Sequence, residues 1–167
     1  MKKGYILKAY SYSPGYSDMR GAYHYLRLAQ NKEGEWRIIS EDRGYYNAPT
    51  VITEYEVSKE DVLEFENFIL TKHVVSLSKR LKSKRFITDY SPWSITIDLE
   101  NTKNKKVEYY TIPQYNVYTP MDYKKIEILK ELFNALQGKV ISEKVEKNDI
   151  SEKVEKNDWE ITLCVLY

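Results

Sequence analysis

The sequence predicts an α+β fold: a mainly antiparallel sheet with two to three helices packed on one face. Three observations carry that expectation. Segments rich in tyrosine and β-branched residues follow one another closely, most joined by turns too short for a parallel crossover. Two other stretches change to helical period and carry start signals. No linker divides the 167 residues, so residues 1–167 are expected to form one domain with a real core.

Residues 4–12, GYILKAYSY, read as a first strand, and SPGYSDMRG as a loop with Pro14-Gly15 as its turn signal. AYHYLRLAQ (22–30), WRIIS (36–40) and VITEYEV (51–57) are the next three strands, with NKEGE as a hairpin connection between the first two. Ser58 with Asp61 is a capping-box-like helix start, followed by an apolar stripe at Val62, Phe65 and Ile69. The stripe continues through Val74, Leu77 and Leu81, with a break near His73. WSITIDL (93–99) puts Trp93, Ile95, Ile97 and Leu99 on one face, and VEYYTI (107–112) is its return strand. Thr119-Pro120 is an N-cap with proline at the first helical position. Ile126, Leu129, Phe133 and Leu136 make the buried stripe of a helix over 120–137, and Gly138 is its C′ stop. The predicted order is β-β-β-β-α-β-β-α-β.

The tail holds a tandem duplication: ISEKVEKND at 141–149 is repeated letter for letter at 150–158. Two short copies are too few for a solenoid. On a helix, a nine-residue shift rotates the second copy by roughly 180°, so the two apolar pairs would face apart. Read as a strand with Asn148-Asp149 as a two-residue turn, Ile141, Val145, Ile150 and Val154 share a face. Trp159, Ile161, Leu163 and Val165 of WEITLCVLY then continue it as a three-stranded meander. Glu and Lys are poor strand formers, and Glu143/Lys147 is a helical i,i+4 pair. The alternative is therefore one copy looped out as an insertion. Both readings make the repeat structural.

Net charge is +1, which gives no global argument for nucleic acid, membrane or an acidic partner. The lone Cys164 excludes an internal disulfide and most cysteine zinc sites. No segment reads as a secretory signal or membrane span, so a cytoplasmic protein is expected. Tyrosine stands out, with 16 residues against three tryptophans and four phenylalanines. An AT-rich coding sequence explains it without function. A tyrosine-rich contact surface is the functional reading, because tyrosine gives amphipathic contact area at low entropy cost.

Sequence motifs for phosphate loops, dinucleotide folds, zinc proteases and serine hydrolases are missing, and no metal or cofactor is expected. His24 and His73 have no ligand partner at a recognised spacing. The loop SPGYSDMRG gathers Tyr16, Ser17, Asp18 and Arg20, residues that serve turns as well as sites. The segment 71–86 holds Lys72, Lys79, Arg80, Lys82, Lys84 and Arg85, with no acid between Glu66 and Asp89. A basic helix end with tyrosines nearby can hold phosphates and stack on bases. The plain alternative is a solvated helix C-terminus meeting its macrodipole.

The stretch FITDYSPWSITIDLENTKNKKVEYYTIP with its following helix, and SYSPGYSDMRGAYHY near the start, resemble a recurrent pattern in small Gram-positive bacterial proteins of no assigned function. The resemblance covers about the first 137 residues and rests on Trp93, the alternating strand and the glycine-containing turns. It implies an α+β fold and carries over no site residue. The expectation is a non-enzymatic protein-binding module of inhibitor, immunity or accessory type. The alternatives are a nucleic-acid-binding protein using residues 72–86, and an enzyme whose site assembles from distant loops around His24, Asp18 or Arg20.

Overall fold

The computed structural model describes residues 4–15, 22–84 and 92–147. Its strands are β1 (Tyr5–Ser13), β2 (Tyr23–Gln30), β3 (Trp36–Arg43), β4 (Thr50–Glu56), β5 (Ser94–Asn101), β6 (Val107–Pro113) and β7 (Val140–Glu146). They form one sheet in the order β6-β5-β1-β2-β3-β4-β7, and every neighbouring pair is antiparallel. Two helices, α1 (Lys59–Thr71) and α2 (Pro120–Ala135), and a 3-10 turn at Val74–Lys79 pack on one face. The expected fold class is the observed one.

The turns follow from residue chemistry. Between β2 and β3, the Asn31 side chain accepts the backbone N–H groups of Glu33 and Glu35, and Gly34 supplies the positive φ of 79°. Ser58 caps α1 by accepting from the Asp61 N–H at 3.3 Å. At α2 the cap is reciprocal: Thr119 Oγ1 accepts from the Asp122 N–H at 3.1 Å, and Asp122 Oδ2 accepts from the Thr119 N–H at 3.0 Å.

A β-bulge in β1, an interior strand, organises the core. The β1–β5 register shifts between Leu7 and Ala9, so that Leu7 opposes Leu99 and Tyr10 opposes Ile97. Two residues three apart thereby face the helices, where a regular strand would turn one of them outward. The Leu7 N–H at the bulge donates to Glu66 Oε2 of α1 at 2.9 Å, a buried bond that ties helix to sheet. The Tyr10 ring meets Phe65 edge-on at 5.0 Å and Phe133 at 4.6 Å, joining both helices to β1. Leu26, Leu28, Ile38, Ile95, Ile97 and Ile112 complete the sheet side of the core.

Two expectations, for Leu81 and Gly138, need correction. The break near His73 is where expected: α1 ends at Thr71, His73 turns left-handed with φ 53°, and the 3-10 turn buries Val74 and Leu77. Leu81 lies beyond that turn and is 81% exposed, because the backbone has already become extended at Arg80. Gly138 is not the left-handed stop of α2; the cap is Leu136, and Gly138 instead donates its N–H to the Glu56 carbonyl at 2.9 Å. The first copy of the repeat is strand rather than helix, so cross-strand pairing with β4 outweighs the helical Glu143/Lys147 spacing. Its register slips between Glu54 and Tyr55, which puts Ile141 in a bulge. The second copy, WEITLCVLY and Cys164 lie outside the described residues, and with them the choice between meander and looped-out insertion.

Among the described residues the buried Tyr10 hydroxyl has no hydrogen-bond partner, and burial pushes its pKa far above the ordinary tyrosine value. Tyr10→Phe is therefore expected to leave stability unchanged or raise it by about 1 kcal/mol. Phe133→Ala should cost about 3–5 kcal/mol by opening a cavity against the same ring. Urea midpoints at constant m-value read both.

Candidate functional site

Strand parity separates the two faces of the sheet. Tyr10 opposes Leu28 on the helix side, so the next pair, Ser11 and Arg27, points to the other side. By the same register Tyr23 and Tyr25 share that second face with Arg43 and Glu41. Asp98, opposite Ala9, and Tyr109, opposite Asp98, lie on it too. Neither described helix covers this face.

Long side chains cover its centre instead. Ser11 and Asp98 are only 5% and 7% exposed. The Tyr25 hydroxyl and the Arg27 guanidinium both donate to Ser11 Oγ at 2.9 Å, and Arg27 lies 3.5 Å from Asp98 Oδ2. Arg27 is thereby held by two strands, with its charge matched by a carboxylate.

Toward the end of this face the tyrosines gather. Tyr23 stacks on Tyr25 with centroids 6.3 Å apart and planes 21° apart. The Arg43 guanidinium carbon is 5.8 Å from the Tyr23 ring and also 5.8 Å from that of Tyr46, a cation between two π faces. The Tyr23 hydroxyl reaches Glu41 at 3.5 Å, and its pKa is raised, first by burial and then by that carboxylate. Tyr45 and Tyr46, on the β3–β4 connection, are 55% and 65% exposed. The result is a platform of aromatic rings and guanidinium groups set on β2, the end of β3 and the β3–β4 connection.

The residues singled out from sequence fare differently. Tyr16, Asp18, Arg20 and Arg85 lie outside the described residues. His24 falls on the helix side, at the sheet's end, where its Nδ1 bonds to Asp42 Oδ1. Ser40 donates to the other Asp42 oxygen at 3.2 Å and not to the imidazole, so these three groups provide no activated hydroxyl. Lys79, Lys82 and Lys84 are exposed. Arg80 is engaged: its Nε and Nη2 donate to the two oxygens of Asp122 at 3.0 and 3.1 Å. The acid missing from the local sequence thus comes from α2. Backbone bonds from Ser83 N to the Tyr115 carbonyl (2.6 Å) and from Val117 N to the Leu81 carbonyl (2.7 Å) fasten the segment to the β6–α2 connection.

Beside that segment is an open cavity of about 420 Å³ lined by Trp93, Gln114, Tyr115, Asn116, Tyr118 and Tyr123, among others. Trp93 stacks on Tyr118 at 6.3 Å, and the Lys130 ammonium sits 4.2 Å over the Trp93 ring. Burial lowers the pKa of Lys130 and pushes the Tyr118 hydroxyl up to about 12. Among the described residues no group of three or more His, Cys, Asp or Glu side chains can hold a metal ion. No described helix is long and apolar enough to cross a membrane.

Neither the protein-family models, nor the curated proteins, nor the solved structures yield a match to this chain. Geometry alone has to carry the functional reading. Sequence alternation in β2 offers His24 as the polar slot between Tyr23 and Tyr25, but the register turns His24 to the helix side and puts Tyr23, Tyr25 and Arg27 on the other face. Arg43 and Tyr46 carried no sequence signal, since only the β2–β3 register brings Arg43 over Tyr23.

Hydrogen bonding from Arg80, opposed by burial and aided by the Thr119 cap, lowers the Asp122 pKa to about 2. A carboxyl depressed in the folded state stabilises it fully above the unfolded aspartate value, about pH 4, and loses that contribution as pH falls through about 2. Asp122→Ala should cost about 1–3 kcal/mol at pH 7. Urea unfolding across pH should show the gap to the parent protein narrowing between pH 4 and pH 2; a constant gap would exclude the carboxylate as its source.

Proposed function

We propose that this chain is a non-enzymatic protein-binding module of inhibitor, immunity or accessory type, acting in the bacterial cytoplasm. Its contact surface is the sheet face around Tyr23, Arg43 and Tyr46. The observation that carries the proposal is the Arg43 guanidinium held between the Tyr23 and Tyr46 rings on a face that no described helix covers. Tyrosine and arginine dominate protein contact hot spots because each offers broad contact area and directed hydrogen bonds at low ordering cost. Here the strands and the Arg27–Ser11 and Arg27–Asp98 contacts limit that cost further.

A second reading, nucleic-acid binding, draws on the aromatic cavity next to Lys82 and Lys84, which combines stacking surfaces with cations. It ranks lower because Arg80, at the centre of the basic segment, is already paired with Asp122. An enzyme is the least supported of the three, since the Ser40 hydroxyl beside His24 and Asp42 donates to the carboxylate and not to the imidazole.

Affinity capture from extract of the source cell, with and without nuclease, separates these readings. The module predicts a stoichiometric protein that survives nuclease. Arg43→Ala and Tyr46→Ala should each weaken its binding by about 2 kcal/mol or more, roughly 30-fold. The same changes should move thermal stability by less than about 1 kcal/mol. Binding that survives both substitutions, or that vanishes with nuclease and falls steeply with salt, would overturn the proposal.

A further inference from the structure

The edge of β4 accepts the first copy of the repeat, and the second copy offers the same residues. Thr53 opposes Glu143, Val51 opposes Val145 and Thr50 opposes Glu146. A slip of nine residues would place Glu152, Val154 and Glu155 at those positions with unchanged side chains. Every residue of β7 is exposed, so little packing beyond the β4 ladder holds the first copy in preference to the second.

We propose that β4 is an exchangeable docking edge for which residues 141–147 and 150–156 compete, and that Gly138 is the residue that selects the first copy. Gly138 donates to the Glu56 carbonyl at 2.9 Å, and the Glu56 N–H donates to the Lys139 carbonyl at 2.8 Å. A Cβ at position 138 would lie 2.6 Å from the Glu56 carbonyl oxygen, a backbone atom that a side chain cannot push aside cheaply. In the slipped register Lys147 takes the place of Gly138, Asn148 that of Lys139 and Asp149 that of Val140. The lysine Cβ meets that oxygen. The second copy therefore pairs through the seven repeated residues but loses the close approach at Glu56. Asp149 is also a weaker strand former than Val140. The nine added residues of connection oppose the slip only weakly, because closure entropy grows slowly with loop length.

Disulfide trapping in the full chain tests this, with Cys164→Ser as background. One protein carries Thr53→Cys and Glu143→Cys; the other carries Thr53→Cys and Glu152→Cys. Paired antiparallel positions are within disulfide reach. With Gly138 and Lys147 in place, the intramolecular 53–143 link should form in large excess over 53–152. Gly138→Lys, which gives both copies a lysine at that point, should raise the 53–152 link at least fivefold relative to 53–143. Lys147→Gly relieves the clash for the second copy and leaves the first copy's contacts with Glu56 untouched, so it should raise the 53–152 link even if Gly138→Lys does not fold. A 53–152 yield that stays flat in the folded variants would overturn the proposal. So would equal yields of the two links in the parent.

Discussion

The fold depends on the bulge at Lys8. It lets Leu7 and Tyr10 face the same layer, and it gives the Leu7 N–H to the Glu66 carboxylate of α1. A buried carboxylate is costly unless its oxygens are bonded, and a bulged strand leaves an N–H without a ladder partner. Each defect supplies what the other lacks. With α1 fixed over β1 in this way, the Tyr10 ring lies between Phe65 and Phe133, and α2 takes its place beside α1.

The second fastening is electrostatic and sits at the far side of the helical layer. Asp122 completes the capping box of α2 and at the same time receives Arg80, so one carboxylate satisfies the Thr119 N–H at the helix start and anchors the chain leaving the 3-10 turn. The two helices, the turn and the basic segment are consequently one body against one face. No described helix covers the opposite face, and its central polar groups satisfy one another across β1, β2 and β5 through Arg27. This asymmetry is the physical ground for reading the second face as a contact surface.

Much of the architecture was legible in the sequence because it rests on local chemistry. The Ser58 and Thr119 caps, the alternation of Trp93 to Leu99 and the stripe from Ile126 to Leu136 each declare an element within a few residues. What escaped depends on distant partners. The positive run around Arg80 looked uncompensated because Asp122 lies 42 residues away. Gly138 looked like a helix stop because the carbonyl it approaches belongs to Glu56, on another strand. The site belongs to the distant kind: alternation alone marks His24 as the polar position of β2, while setting Tyr23 and Arg27 on the opposite face and Arg43 against Tyr23 and Tyr46 needed the register of β2 on its neighbours and the course of the β3–β4 connection.

β1 lies inside the sheet, paired on both sides, and this bears on how the chain is made. On a ribosome, β1 to β4 emerge first and can form a meander by hairpin steps alone. One side of β1 then waits for β5, whose partner residues begin at Ser94. Until that strand is released, the nascent meander presents the open edge of a strand that will be interior, along with the apolar side chains of Tyr10 and Leu28. Such an edge invites pairing with neighbouring chains. The interval between Ser13 and Ser94 is therefore the vulnerable stage of its synthesis, and slow translation there would favour aggregation over the native sheet.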